Sequence, residues 1–580
     1  MPKVEVDEVV AAKLEGDARP TKTFWLSVFA ASLSCFCFGY DITITSGSLL
    51  YIKDDLNMPG ATLQEAVVSV HTITGTIFAL GNGLLADRFG RRRTLAFAAV
   101  IIVISSIICA AASSPAVMIL GRLIAGIGMG VGSALSPLYV AEASPAPIRG
   151  RLTTTNTLCI NMGIFAASVS SAVFSYVPEG GWRYSMAIVL VPAILQLIAL
   201  YFMPESPRWL VEVGREAEAR KAMRSFRVSA DYADAEIADI QAACLAKRRE
   251  REQFGGESML RHVLGIPSVR RAFIVGALVQ GAQQVTLISV VLGYTGTILE
   301  MSGVESRQAI LWLSVLAFTL LLIVQSASII IVERAGRRPG SYVSQGLAAC
   351  ALLVIGIGFS VVAGNTPLLS PAPANASCGG LGPPATCTDC IAQPNCGFCF
   401  QDTQSSGVLG SCLRVYSDVD RSLGGNCSGS GMGDFVWAVG YCPSGSSWLV
   451  LAGLIFFICV FGPGMGAMPW TLNAEIYPQW ARGTGNAVAA AVAWSVGFLT
   501  TFTFLSITQA FTRPGAFYFY SALTFLGFGL LYILVPETKG RSLEEVDALF
   551  KHSIQIPWLR HRLEPSRLVE SSTSASTIAN

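Results

Sequence analysis

Apolar runs of about twenty residues, separated by short polar stretches, dominate this chain. A helix crossing a hydrocarbon core needs about 20 such residues. Twelve runs qualify: 24–47, 65–85, 94–112, 116–139, 152–174, 184–203, 271–298, 308–332, 342–363, 447–472, 484–508 and 515–535. They predict an all-α membrane protein of twelve transmembrane helices. An even count puts both termini on one side. Loops on that side hold 33 Lys and Arg, including "RFGRRR" at 88–93, against six on the other: Lys53, Arg183, Arg307, Arg414, Arg421 and Arg513. By the positive-inside rule both termini are cytosolic.

Three motifs recur. "DRFGRR" (87–92) matches "ERAGRR" (333–338), "AEASPAPIRG" (141–150) matches "AEIYPQWARG" (474–483), and "PESPRWL" (204–210) loosely matches "PETKGRSL" (536–543). The last two pairs are offset by 333 and 332 residues and the first by 246, so the second half carries an insertion that 364–446 fills. The predicted organisation is a cytosolic tail (1–23), a six-helix half (24–203), a cytosolic helical linker (204–270), a second half split into 271–363 and 447–535 around an extracellular insert (364–446), and a cytosolic tail (536–580). Repeated halves are how transporters place a site at the bilayer midplane and rock about it.

Composition agrees. The chain is 52% hydrophobic and 13% charged with net charge +2, whereas soluble domains carry about 25% charged residues. Nothing in that balance points to nucleic acid. There is no G-x-x-x-x-G-K-[ST], H-E-x-x-H or G-x-S-x-G, hence no expected metal, cofactor or enzymatic constellation. The first 23 residues are polar, so no removable signal peptide is expected. The linker stretches "EVGREAEARKAMRSF" and "ADAEIADIQAACLAKRRERE" space apolar residues helically among charges, and the tail "LVESSTSASTIAN" reads as disordered.

The insert holds Cys378, Cys387, Cys390, Cys396, Cys399, Cys412, Cys427 and Cys442. C-x-x-C pairs can bind zinc. Here, however, "CTDCIAQPNCGFC" separates its pairs by only five residues, and an even-numbered extracytoplasmic set oxidises. Four disulfides are expected, with connectivity open. Asn375 and Asn426 head glycosylation sequons.

Two charges lie inside spans. Asp41, in "SCFCFGYDITIT", costs about 2.5–3.5 kcal/mol at bilayer depth. Arg122, in "LGRLIAGIGMGVG", is the basic residue within a span. Counting from the expected helix ends at ~1.5 Å per residue puts them at similar depth, so they should pair. One reading is a buried bridge that fixes two helices, a poor device for stability because desolvation opposes the Coulombic gain. The other is a carboxylate that trades its guanidinium for a proton as the site opens, since burial favours the protonated form and a nearby cation the ionised one.

The seventh run, "VQGAQQVTLISVVLGY", places Gln280, Gln284, Leu287, Val291 and Tyr294 on one stripe with Gln283 beside it. Amides both donate and accept, which suits a hydroxyl-rich neutral substrate. Trp470 and Trp494 offer flat apolar faces, and Asn156 and Asn473 further polar groups. Inter-helix hydrogen bonding is the alternative for the glutamines. His71 reads as a hydrogen-bonded helix histidine, the glycines of "GIGMGVG" as a packing surface, and "PGMGAMPW" (463–470) as a broken helix that serves as a gating joint.

Together "GRRR", "PESPRWL", "ERAGRR", "GPGMGAMPW" and "PETKGRSLEEVD" resemble the sugar porter branch of the major facilitator superfamily across residues 24–550. "FGYD" resembles its proton-coupled members. "PGMGAMPWTLNAEIYP", the "TTN" of 154–156 and the cysteine insert resemble plant-type inositol transporters in particular. "CTDCIAQPNCGFC" resembles a plexin-semaphorin-integrin domain, an appendage that could meet an unknown partner. The resemblance implies the major facilitator fold, two six-helix halves, and symport of myo-inositol or a related polyol or sugar with protons at the plasma membrane. Asp41 and Arg122 would be the proton-coupling pair. Gln283, Gln284, Trp470 and Trp494, with Ser289, Tyr294, Asn156 and Asn473, would line the substrate site. Asp87, Arg88, Arg91, Arg92, Glu142, Arg149, Glu333, Arg334, Arg337, Arg338, Glu475 and Arg482 would form the cytosolic gate network.

The chain departs from that pattern where Leu287 replaces a glycine, Ser289 an asparagine, Gly293 a tyrosine and Leu321 an asparagine, and where Ala493 and Gly497 flank Trp494. Each change removes a hydrogen-bonding group or alters the helix, so specificity should be altered. Uncoupled hexose or polyol diffusion, a transporter-like sensor, and a vacuolar location stay open at this level.

Overall fold

The computed structural model describes residues 19–253 and 265–550, with gaps at 59, 305 and 479, several within 368–444 and two within 540–548. Residues 1–18, the C-terminal tail beyond residue 550 and Asn375 lie outside the described residues. The first half contains α1 (Lys22–Asp55), α2 (Ala61–Phe89), α3 (Arg91–Ala110), α4 (Pro115–Ala143), α5 (Arg149–Phe174), and a sixth span split into α6 (Gly181–Ala187) and α7 (Leu190–Phe202). Its linker forms α8 (Pro207–Glu212), α9 (Glu216–Phe226) and α10 (Ala230–Gln253). The second half contains α11 (Pro267–Val285) and α12 (Ile288–Met301), which share one span, then α13 (Arg307–Ala335) and α14 (Arg337–Gly364). After the insert and its α15 (Cys387–Ile391) come α16 (Ser447–Phe461), α17 (Met468–Glu475), α18 (Arg482–Ala510) and α19 (Arg513–Leu534).

Among the described residues eleven helical spans are long and apolar enough to cross a membrane. The shorter α16 takes the twelfth place. The expected tenth span breaks at Gly462–Ala467, where glycines and Pro463 cannot sustain a helix. The freed backbone is paired again. Ser344 Oγ donates to the Val460 carbonyl (2.7 Å) and accepts from Met465 N–H (3.0 Å), and Gln283 Nε2 donates to the Met465 carbonyl (2.6 Å). Broken helices survive at membrane depth only where neighbours supply such partners.

The seventh span also breaks. Leu287 adopts a left-handed conformation (φ 69°, ψ 20°) between α11 and α12. Side chains disfavour that region. Helix α1 runs to Asp55, eight residues past the end of the expected run at Gly47.

The duplication is visible in the packing. Arg91 begins α3 and Arg337 begins α14, each after a glycine of positive φ, Gly90 (91°) and Gly336 (85°). The halves meet through α2 against α18, α5 against α13 and α1 against α12.

The insert has its own small core. Strand β1 (Cys396–Gln401) lies between β2 (Gly410–Arg414) and β3 (Phe435–Ala438), both antiparallel to it. Phe398 sits opposite Cys412 on β2, and Cys399 opposite Trp437 on β3. All eight insert cysteines are paired: Cys378–Cys396, Cys387–Cys442, Cys390–Cys412 and Cys399–Cys427. Their sulfurs are thereby withheld from zinc. Asn426 is exposed beside Cys427.

Candidate functional site

Asp41 and Arg122 meet as their depths required. Arg122 Nη1 lies 2.8 Å from Asp41 Oδ2, with Arg122 wholly buried and the Asp41 side chain 16% exposed. The Asp41 side chain is thus open at one edge, with Oδ2 buried against Arg122, while the guanidinium is wholly enclosed. Arg122 has further partners: Nη1 donates to the Asp41 carbonyl (3.2 Å), Nε to the Val67 carbonyl (3.2 Å), and Nη2 lies 2.9 Å from His71 Nδ1. Glycines in α4 create this junction. A Cβ at Gly126 would strike the His71 carbonyl and one at Gly130 the Gly75 carbonyl, so α2 and α4 approach closely enough for His71 to reach Arg122. His71 is hydrogen-bonded, as read from the sequence, and its partner is the arginine of the central charge pair.

The polar lining divides into groups that are committed and groups that are not. Gln283 spends an amide proton on Met465, and Tyr294, fully buried, donates to the Thr501 carbonyl (3.2 Å). Asn156 Oδ1 accepts from Ser136 Oγ (2.9 Å) and Ser32 Oγ (3.4 Å), joining α5 to α4 and α1. Asn473 Nδ2 donates to the Pro469 carbonyl (2.8 Å) and its Oδ1 accepts from the Tyr477 hydroxyl. For these two asparagines the structure shows packing bonds within one half, because short amides at small-residue helix contacts reach neighbouring backbone and hydroxyls first.

Gln284 Oε1 instead accepts from Ser289 Oγ (2.6 Å), across the Leu287 break. Both groups face Gly497, where a Cβ would come within 3.2 Å of Gln284 Oε1 and 3.3 Å of Ser289 Oγ. Gln280 is fully buried, and neither of its amide atoms has a hydrogen-bond partner among the described residues. Trp494, one turn before Gly497, packs its ring on Phe38 of α1 (centroids 5.5 Å) and against Gly75 of α2. It thus bridges the halves. Trp470 is half exposed on α17.

On the face bearing the insert, the halves are locked together. Lys53 Nζ meets Glu300 (2.7 Å), Arg307 Nη2 meets Asp54 (2.6 Å), and Glu65 accepts from Ser506 N–H (2.6 Å) and Oγ (2.7 Å). Ser46 Oγ accepts from Gly296 N–H (3.2 Å). Sequence reasoning missed this seal. Its only written signal is single charges at the mouths of apolar runs, and partners more than 200 residues apart are not readable from one chain.

On the face opposite the insert, each half closes its own charge cluster, and the two clusters share the same central bonds. Arg91 makes a two-pronged bond to Glu142 (3.0 Å each) and also meets Asp87 (3.2 Å), while Arg337 bonds Glu475 (3.2 and 3.0 Å). Glu205 accepts from Arg91 N–H (2.8 Å) and Arg92 N–H (3.0 Å), as Glu537 does from Arg337 N–H (3.0 Å) and Arg338 N–H (3.2 Å). Arg92 and Arg338 both donate to backbone carbonyls, of Tyr201 and Tyr532 (2.9 Å each). Ser206 binds Glu142 and Thr538 binds Glu475. Helix N-termini offer free N–H groups and a favourable dipole to such carboxylates. Burial nevertheless pushes the Glu205 carboxyl above the usual range, against the backbone N–H groups of Arg92, Ser206 and Arg91.

Glu205 and Glu537 are the site residues the sequence reading left out, although their motif pair was visible. Arg149 and Arg482 donate to the Ser144 (3.3 Å) and Tyr477 (3.5 Å) carbonyls, and Arg88 lies over the Phe89 ring. The side chains of Glu333 and Arg334 lie outside the described residues.

Known proteins share both sequence and fold with this chain. A family model described as "Sugar (and other) transporter" matches residues 26–374 and 423–550, passing over the middle of the insert. A human protein named "Proton myo-inositol cotransporter" is 36% identical over 560 residues, covering 95% of this chain and 85% of that one. "Inositol transporter 4" of Arabidopsis thaliana is 33% identical over 563 residues, 94% of each. The inward-open conformation of the xylose transporter XylE from E. coli superposes with a TM-score of 0.64 at 23% identity, covering 91% of this chain and 99% of that one.

Proposed function

Because the chain belongs to the sugar (and other) transporter family, we propose that it imports myo-inositol or a closely related polyol together with protons by alternating access. The observation that carries this reading is the Asp41–Arg122 pair, whose arginine is wholly buried and whose aspartate side chain is partly exposed. A buried bridge alone gives little net stability. A carboxylate that releases its guanidinium on protonation couples proton uptake to movement of α1 against α4. Relatives named as proton myo-inositol cotransporters and inositol transporters support both substrate class and coupling ion.

The substrate binds between the halves. Gln280 and Gln284 with Ser289 supply hydrogen bonds, Trp494 and Trp470 supply apolar faces, and Gln283 stabilises the broken helix beside them. The insert-bearing face is extracellular, by the charge asymmetry of the loops, so the sealed conformer is closed to the outside. The Arg91 and Arg337 clusters brace the cytosolic ends of each half. In the outward-facing state they, with Arg149, Arg482, Glu333 and Arg334, hold the halves together on that side. The protein acts at the plasma membrane, with Asn426 as a glycosylation site on the insert.

Proton-coupled currents across a panel of inositol isomers, hexoses and linear polyols test the proposal. Inward currents for inositols that grow as external pH falls support it. Uptake indifferent to pH and voltage removes the coupling, and currents for hexoses alone remove the substrate class.

A further inference from the structure

We propose that His71 is a positioning residue of the proton site, a second seat for the Arg122 guanidinium that keeps its hydrogen bond when Asp41 takes up a proton. The inference rests on the proton-coupling reading above. A guanidinium offers five N–H donors and no acceptor, so at 2.9 Å from Nη2 the His71 Nδ1 must be the acceptor. That makes His71 neutral with its proton on Nε2. The Nε2 atom is buried and without a partner among the described residues, and the whole side chain is 3% exposed.

Arg122 is wholly buried, so each donor left without a partner is expensive. Its other acceptors, the Val67 and Asp41 carbonyls, belong to helices and already serve backbone bonds. Only the Asp41 carboxylate and the His71 ring offer Arg122 a lone pair on a side chain among the bonds described. Protonating Asp41 weakens the first. The second then decides how costly the released arginine is, and so how readily Asp41 accepts its proton.

No other charged group performs this task in the described structure. The titratable groups near the pair are the Cys37 thiol and the Tyr40 hydroxyl on α1 and the Cys109 thiol on α3. Glu65 on His71's own helix is bound to Ser506 across the halves. From α18, which also packs on α2, the neighbour is the Trp494 ring, which carries no charge.

The test is the pH dependence of initial polyol uptake by full-length protein in proteoliposomes, with thermal melting as the check on folding. For His71→Leu, which has no acceptor, the proton concentration for half-maximal uptake should rise about ten-fold, a shift of one pH unit to the acid side. His71→Asn carries an oxygen where Nδ1 stands, and should return the midpoint to the wild-type value. His71→Gln, whose amide reaches past that position, should behave as the leucine variant and replaces it if leucine does not fold. A leucine or glutamine variant that melts like wild type and keeps the wild-type midpoint overturns the proposal. So does an asparagine variant that folds yet stays shifted, since that would require a titrating imidazole. Wild-type uptake that ignores pH would instead sink the coupling reading itself, which separates the two failures.

Discussion

Replacing Glu65 by glutamine should loosen the seal on the insert-bearing face. Glu65 is 1% exposed and accepts two bonds from Ser506, one from its N–H (2.6 Å) and one from its hydroxyl (2.7 Å). Hydrogen bonds to charged groups contribute about 1.5–3 kcal/mol each. Glutamine keeps one carbonyl oxygen and loses the charge, so the closed arrangement loses about one such bond. When the halves part, Glu65 is solvated and glutamine costs nothing comparable there. A shift of about 1.5–3 kcal/mol raises the population open on that face by about 10- to 100-fold. Ser46 is a suitable reporter, because it is 2% exposed at the seam and bonds Gly296 across the halves. With Ser46→Cys in both backgrounds, labelling by an impermeant thiol reagent should accelerate by that factor in the Glu65→Gln protein. Equal labelling rates would refute the reasoning, and with it the identification of this face as the closed gate.

Further expectations concern the pocket, the helix starts and the insert. Gln284→Ala should raise the apparent KM for the polyol about five-fold, the loss of ~1 kcal/mol for one hydrogen bond, and an unchanged KM would remove it from the site. Gly90→Ala places a side chain at φ 91° and a Cβ against the Glu205 carboxylate. It should lower Tm by a few degrees, at about 1–3 kcal/mol for the backbone alone, whereas Gly60→Ala, with open space around it, should not. Cys387→Ser with Cys442→Ser should make the insert sensitive to protease while leaving the polyol KM intact, because the insert's buried clusters are built from its own residues. A changed KM would show that the insert reaches the transport path.

Long apolar runs made the spans legible, since membrane helices must satisfy their backbone internally and repeat over a fixed length. The duplication was legible for a simpler reason, its motifs being written twice. Asp41 and Arg122 could be paired from depth alone because a charge in hydrocarbon has few allowed partners. Four disulfides were readable from an even cysteine count, their connectivity only from the folded insert, where Cys390 meets Cys412 and Cys399 meets Cys427. What stayed hidden was set by contacts between distant segments. Leu287 breaks a helix without any glycine to announce it, and Gln283 is drawn to the Met465 carbonyl, whose helical partner position is Pro469 and has no N–H to give. Glu205 and Glu537 sit in recognised motifs, yet their bonds go to backbone N–H groups, which carry no sequence signature. The partner of His71 was hidden because it lies on another helix, brought close by Gly126.

The central claim, that Asp41 carries the coupled proton, is tested most directly by Asp41→Asn in proteoliposomes with an imposed proton gradient. The account predicts that the variant still exchanges labelled polyol across the membrane at equilibrium but no longer concentrates it. Accumulation equal to that of the wild-type protein would contradict it.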